Sequence, residues 1–396
     1  MEERVRVRVR MHRNVGFVAA RMMAIALALA LVQACVPAGS AQQSRQPRMR
    51  WTRQAANEWY ARQPWLVGSD YIPSYAINQL EMWQPETFDA KRIDQELGWA
   101  QSLGFNTMRV FLHDLLWQQD ADGFKRRMDT FLAIAAKHHI RPLFVLFDSV
   151  WDPDPHLGKQ HPPVPGVHNS GWVQGPGARA LDDPAQYPRL EAYVKGVVRA
   201  FAEDSRVLGW DIWNEPDNTN EGSYDKTETR IKKALVLALL PKVFEWARDV
   251  GPSQPLTSGV WNGNWGPGEQ LSPTEQIQLG ESDIVSFHSY EKPKAFEATV
   301  LSLQHFGRPI ICTEYMARPR GSTFQTILPI AKKYHVGAIN WGFVAGKTQT
   351  YFPWSTWQHP YPNHLPAEWF HDIFYPNGKP YSQAEVDFIR NIIKGS

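Results

Sequence analysis

The chain has 396 residues, 43% of them hydrophobic and 21% charged, enough for a large buried core in one big domain or two smaller ones. The formal charge of +2 hides a division: residues 1–50 hold nine Arg against two Glu and carry +7, leaving −5 on the rest. A mildly acidic body lacks the basic footprint of a nucleic-acid binder and argues against polyanionic partners, whereas 17 Trp, 13 Tyr and 19 Phe exceed ordinary usage and suit stacking on sugar rings or bases.

In chain order, Arg13 and Arg21 precede an apolar run at 22–32 that is too short for a permanent span, followed by small residues ending at Ala41. Residues 1–41 therefore read as a secretory signal peptide, and the protein as exported to the periplasm or the exterior. Val32-Gln33-Ala34-Cys35 faintly resembles a lipoprotein cleavage box, so a cut before Cys35 with a lipid anchor is the alternative; no other membrane insertion is expected. The other cysteine, Cys312, lies inside a strand and reads as a small core residue, which leaves no disulfide. Residues 42–60 are polar and rich in Arg and Gln, a linker into a single domain over 61–396.

Within that domain, apolar runs suited to strands fall at 65–72, 106–112, 141–148, 207–215, 255–261, 284–290, 309–315 and 337–344. Segments of helical periodicity lie between them at 89–103, 124–138, 187–201, 231–250, 293–306 and 324–334, with 269–279 the weakest. Eight strands alternating with helices predict parallel βα units closed into a single (β/α)8 TIM barrel. No glycine-rich phosphate turn follows an early strand, so an open doubly wound sheet and its organic cofactor are not expected. The loops after strands 3 and 8 are long and aromatic-rich, and a monomer is expected.

In such a barrel the C-terminal strand ends converge on the face where chemistry occurs. Those ends carry Arg109, His113, Asp148, Trp151, Asn214, Glu215, Trp261, His288, Tyr290, Glu314 and Trp341, with Trp172 in the loop after strand 3. The stretch 209–218, GWDIWNEPDN, starts as a buried strand and breaks at Pro216, which is expected to hold Glu215 extended at the strand tip. A carboxyl among aromatic walls has a raised pKa and suits a general acid, although a strand-end Glu also caps helices. The run RPIICTEYMAR ends a second strand in Glu314, and two carboxyls facing one cleft suit hydrolysis of an acetal. Arg109 and Tyr290 would keep the second carboxylate ionised, though an arginine can also simply bridge interior carboxylates and a tyrosine simply pack. No HExxH or His-Cys spacing points to a metal, so His113 and His288 read as hydrogen-bonding residues and no metal is expected.

These residues resemble those of a clan A glycoside hydrolase and are most similar to family 5, the cellulase family, over about residues 65–341. The resemblance implies a retaining β-glycoside hydrolase acting by double displacement on a β-linked glucan, mannan or xylan. It implies Glu215 of Asn-Glu-Pro as acid/base, Asn214 as the contact to a sugar 2-hydroxyl and Glu314 of Thr-Glu-Tyr as nucleophile. Tyr290 of His288-x-Tyr290 would hold that nucleophile, Arg109 matches the early-strand arginine, and Trp341 matches the sugar platform, with a cis bond expected at Trp341–Gly342. The sequence departs from the family at the third strand's end, where Asp148-Ser149-Val150-Trp151 stands in place of a histidine; His113 or Asp148 is expected to take over its contact. A transglycosylase with the same site, or a non-catalytic glycan-binding barrel, is the alternative.

Overall fold

The computed structural model describes residues 48–395; the expected signal segment, with Cys35, lies outside them. Eight strands form one parallel sheet: β1 (Val67–Tyr71), β2 (Thr107–Phe111), β3 (Arg141–Asp148), β4 (Gly209–Asn214), β5 (Leu256–Thr257), β6 (Val285–His288), β7 (Ile310–Glu314) and β8 (Gly337–Asn340). Hydrogen-bonded neighbours run β5-β4-β3-β2-β1-β8-β7-β6. At the remaining seam Val260 N donates to Ser286 O (3.1 Å) and His288 N to Val260 O (2.9 Å), which closes the barrel. The expected (β/α)8 architecture is thus present.

Helices cover the outer faces, so the strands are buried on both sides and read as nearly continuous apolar runs: β4 is buried throughout and β3 beyond Arg141. Strand β5 is shorter than its apolar run because Ser258 N leaves the ladder to donate to Ser282 Oγ at 3.0 Å. A register shift between Phe287 and His288 pairs His288 with Glu314, re-aiming the histidine at the barrel mouth.

The helices expected from periodicity form, with shifted ends. Asp89 caps Ala90–Leu103 and Gly104 ends it at φ 88°, a left-handed turn that glycine adopts without strain. The helix expected at 124–138 begins already at Asp114 and bends at Asp120. Part of the expected linker is a helix, Arg53–Ala61, capped by Thr52; Ala56, Trp59 and Tyr60 cluster with Leu66, Leu143, Leu208, Ile284, Ile311 and Ile339 to plug the barrel floor. The burial of these side chains outweighs the polar composition that suggests a linker. A C-terminal helix, Gln383–Lys394, lies beyond the expected helices; it buries Val386 and Ile389, and Glu385 pairs with Arg318 at 2.7 Å. Among the described residues no helix is long and apolar enough to cross a membrane.

At Gly68 on β1 a Cβ would meet the Thr107 carbonyl oxygen of β2 at 1.9 Å. Gly68→Ala is expected to destabilise the fold by about 2–3 kcal/mol in chemical denaturation. The control Gly280→Ala, in a helix with nothing within 4 Å of its Cβ, is expected to be neutral or stabilising by up to about 1 kcal/mol.

Candidate active site

The strand ends surround a cavity of about 570 Å3 that is lined by Asp148, Trp151, Trp172, Asn214, Glu215, Trp261, His288, Tyr290, Glu314 and Trp341 among others. Ten of the twelve residues singled out in the sequence therefore meet in one place; Arg109 lies beneath the cavity and His113 outside its lining.

Arg109, on β2, is fully buried and is the centre of the polar layer. Its Nη1 donates to Asp70 Oδ1 (2.9 Å) and Glu314 Oε1 (3.0 Å), its Nε to Asp211 Oδ2 (2.9 Å) and its Nη2 to Asn214 Oδ1 (2.7 Å). Burial works against the guanidinium charge, but Asp211, Asp70 and Glu314 together hold its pKa above the ordinary arginine value. Asp70, in register with Arg109 across β1 and β2, is pushed up by burial against the pull of that arginine. Neither Asp70 nor Asp211 is among the residues singled out in the sequence, although a charged residue inside the apolar run of β4 needs a buried partner and is a readable signal.

Glu314 ends β7. Tyr290 Oη donates to its Oε2 at 2.7 Å. Burial raises the Glu314 carboxyl, opposed by His288, Arg109 and this hydrogen bond and reinforced by Glu215. The Tyr290 hydroxyl, pushed up by burial and by Glu314, stays a donor. Burial also lowers His288 to about 4, so this ring is neutral near pH 7 and its attraction for Glu314 sets in only on acidification.

Glu215 follows β4 directly. Its backbone stands at φ 41°, a left-handed conformation, and not in the extended form expected before proline. Two contacts hold this strained turn: Asn218 N donates to Glu215 O (3.0 Å) and Asn218 Nδ2 to Glu215 Oε2 (2.7 Å). The other oxygen shares a 2.9 Å hydrogen bond with His288 Nδ1. Burial lifts the Glu215 carboxyl to about 7, with Asn218 and Arg109 pulling against it. One ligand atom each from Glu215, His288 and Glu314 lie within 4.8 Å of one another, close enough to hold a cation. Arg109 already pairs with Glu314, however, and burial favours the protonated form of Glu215, so the set offers a cation little charge.

Asp148, at the departure from the family pattern, accepts from Trp172 Nε1 (2.6 Å), Asn214 Nδ2 (2.9 Å) and Val150 N (3.1 Å). Burial raises it to about 6 against these bonds. Together with Arg109 it fixes both ends of the Asn214 amide. His113 has no part in holding that amide. Its Nδ1 accepts from Leu115 N at the start of a helix and its Nε2 bonds Gln174 O at 2.8 Å. The substrate contact expected of His113 is thus replaced by support of the loop after β3. The Trp341–Gly342 bond is trans; the cis peptide bond among the described residues joins Gly175 to Pro176. Trp341 stands edge-on to Phe111 (5.8 Å) and Trp172 (5.7 Å), which fixes its plane at the cavity floor. Asn218, Trp265 and Arg320 also line the cavity and are not among the residues expected from the sequence. Asn218 belongs to the same GWDIWNEPDN stretch, but nothing local marks its reach back to Glu215.

The profile of the family described as Cellulase (glycosyl hydrolase family 5) matches residues 165–359, a span that includes Glu215 and Glu314. No curated protein matches the chain by sequence. Among solved structures, a family 5 subfamily 18 enzyme from Streptomyces cattleya in complex with Manβ1-4GlcNAc is similar at TM-score 0.55 and 12% identity, covering 84% of this chain and 80% of that one. The exo-β-1,4-mannosidase from Opitutaceae bacterium strain TAV5 aligns at TM-score 0.55 and 18% identity, covering 83% of this chain but 59% of its own. The endo-1,4-β-mannanase from Rhizomucor miehei aligns at TM-score 0.51 and 15% identity, covering 83% and 97%. At these identities the structural likeness speaks for the fold, and the family profile for residues 165–359. Over those residues the chain resembles family 5 glycoside hydrolases, and it is an O-glycosyl hydrolase on a (β/α)8 barrel.

Proposed function

We propose that the protein is an exported, retaining β-glycoside hydrolase that acts on β-mannosides, with Glu215 as acid/base and Glu314 as nucleophile. The observation that carries this reading is the pairing of two carboxyls at the ends of β4 and β7, with one oxygen of each within 4.8 Å of the other and unlike surroundings. Retaining pairs lie about 5–5.5 Å apart, inverting pairs roughly 6.5–9.5 Å, because only the latter leave room for a water. Glu314 has a guanidinium and a phenol hydroxyl as partners and is the anion. Glu215, raised to about 7, is the acid.

In the first step Glu215 gives its proton to the glycosidic oxygen while the Glu314 carboxylate closes on the anomeric carbon, so one C–O bond breaks and another forms. In the second step Glu215, now a base, takes a proton from water, whose oxygen displaces Glu314. The net change is addition of one water across the bond. The Asn214 amide, held by Asp148 and Arg109, faces the sugar 2-hydroxyl, and Trp341 lies under the ring. The mannoside assignment rests on the structural neighbours, which include a mannosidase, a mannanase and an enzyme with bound Manβ1-4GlcNAc. Export rests on the sequence of residues 1–41 alone.

Glu314→Gln is expected to be inactive on every substrate. Glu215→Gln should lose roughly 10²–10⁴-fold in kcat/KM on alkyl β-mannosides but keep bond cleavage on dinitrophenyl β-mannoside, whose leaving group needs no proton. Mass spectrometry should then find a sugar adduct on Glu314; equal losses on both leaving groups would remove the acid role.

The wild-type kcat/KM should fall about tenfold per pH unit above about 7, where Glu215 loses its proton, and this limb should vanish in Glu215→Gln. The same shift bears on stability. In the unfolded chain this carboxyl ionises near 4.3, so between there and about 7 the folded state binds more protons and stability falls as pH rises. An amide escapes that loss. Glu215→Gln should therefore gain on the order of 1–3 kcal/mol relative to the parent between pH 4 and pH 8 in denaturant titrations.

A further inference from the structure

The walls of the cavity are unequal. Of its lining residues on β3, on β4 and in the loop after β3, Asp148, Asn214, His168 and Trp172 are buried, and Val150 and Trp151 are half-buried. Its exposed lining residues are Asn262, Gly263, Glu291 and Arg320, all in the loops after β5, β6 and β7. The cavity therefore has one mouth, over β5–β7, and a blind end under the loops after β3 and β8.

The blind end is built by direct bonding of those two loops. Asn169 N donates to Thr348 O (2.7 Å), His168 N to Thr356 Oγ1 (2.9 Å), and Gln349 Nε2 to Val164 O (2.7 Å) and Val167 O (3.0 Å). Trp357 stacks on Trp151 at 5.1 Å and 16° and meets Tyr224, from the loop after β4, edge-on. Gln358 Nε2 reaches Gly222 O (2.7 Å) in that same loop, and Lys347 N reaches Ser74 O (3.1 Å) after β1. The loop after β8 is thus tied to the loops after β1, β3 and β4, and the cavity on the far side of Trp172 and Trp341 holds only about 10 Å3, too little for a sugar.

The position of the acid orients the substrate. Because Glu215 protonates the leaving oxygen, the leaving sugar lies on its side of the cavity, toward Trp261, whose Nε1 donates to Asp217 Oδ1 (3.0 Å), and Trp265. The sugar attacked by Glu314 lies over Trp341 against Asp148 and Trp172, at the blind end. That sugar is joined to the leaving group through its anomeric carbon, so any further sugar on its other side would have to pass through the clasped loops. Resting on the reading of the site as a β-mannoside hydrolase, we infer that the enzyme is exo-acting: it removes one terminal sugar from the non-reducing end of a short β-linked oligosaccharide or conjugate and does not cut inside a polymer.

The test uses the purified full chain with three probes: para-nitrophenyl β-mannoside, β-linked mannotetraose, and the same tetraose with a benzylidene acetal on its non-reducing terminal sugar. The inference expects mannose and mannotriose as the first products of the free tetraose, and cleavage of the capped tetraose at least roughly 100-fold slower. Mannobiose as the first product, or a capped tetraose cut within a few-fold of the free one, would overturn it while leaving the glycosidase reading intact. Silence on all three probes would instead remove the mannosidase reading, and this inference with it.

Discussion

The site depends on one buried cation. Arg109 has no exposed surface and faces three carboxylates and an amide from β1, β4 and β7, so a single guanidinium ties together strands distant in sequence. A charge so deeply buried is tolerable only with every N–H engaged, and removing its partners would leave it uncompensated. Three carboxylates around one cation cannot all be ionised cheaply. Burial resolves the conflict by raising Asp70 well above the ordinary range, which leaves more of the guanidinium field to its other partners, Glu314 among them. The ionisation of Glu314, the proposed nucleophile, is therefore set from beneath, by residues that do not line the cavity.

Glu215, the proposed acid, has the opposite arrangement. Glu215 touches no cation directly; its partners are the Asn218 amide and a histidine kept neutral by burial. The left-handed backbone at Glu215 has the same origin. An extended residue would continue the direction of β4, whereas the turn closed by Asn218 swings the carboxyl to within reach of His288 and across from Glu314. Two glutamates at strand ends thus have unlike neighbours, a guanidinium and a phenol for Glu314 and an amide and an imidazole for Glu215, which is what the proposed double displacement requires.

Much of this is legible in the sequence, and the reasons differ by residue. The alternation of apolar runs with helical periods implies the barrel because each run has to be buried on both faces. Glu215, Glu314, Asn214, Tyr290 and Trp341 are legible because they sit at strand ends, where topology brings them together whatever the loops do. His113 misleads because the same position also starts a helix, and its ring is used there for capping and for Gln174. Asp70 and Asn218 escape notice because their partners lie across strands or around a turn. The C-terminal helix escapes because the long aromatic segment before it masks the return of helical periodicity. The conformation of Glu215 cannot be read at all, since proline's preference for an extended predecessor is a local rule and the turn is held by contacts outside it.

The tryptophans serve packing as well as the cavity. Their abundance suggests sugar platforms, but Trp357 stacks on Trp151 and Trp369 lies flat against Tyr381, so part of the aromatic surface binds loop to loop and not loop to ligand. That use bears on substrate entry. Trp357 ties the loop after β8 both to Trp151 after β3 and to Tyr224 after β4, so the same rings that close one end of the cavity are spent on holding its wall together and are not free to bind a sugar.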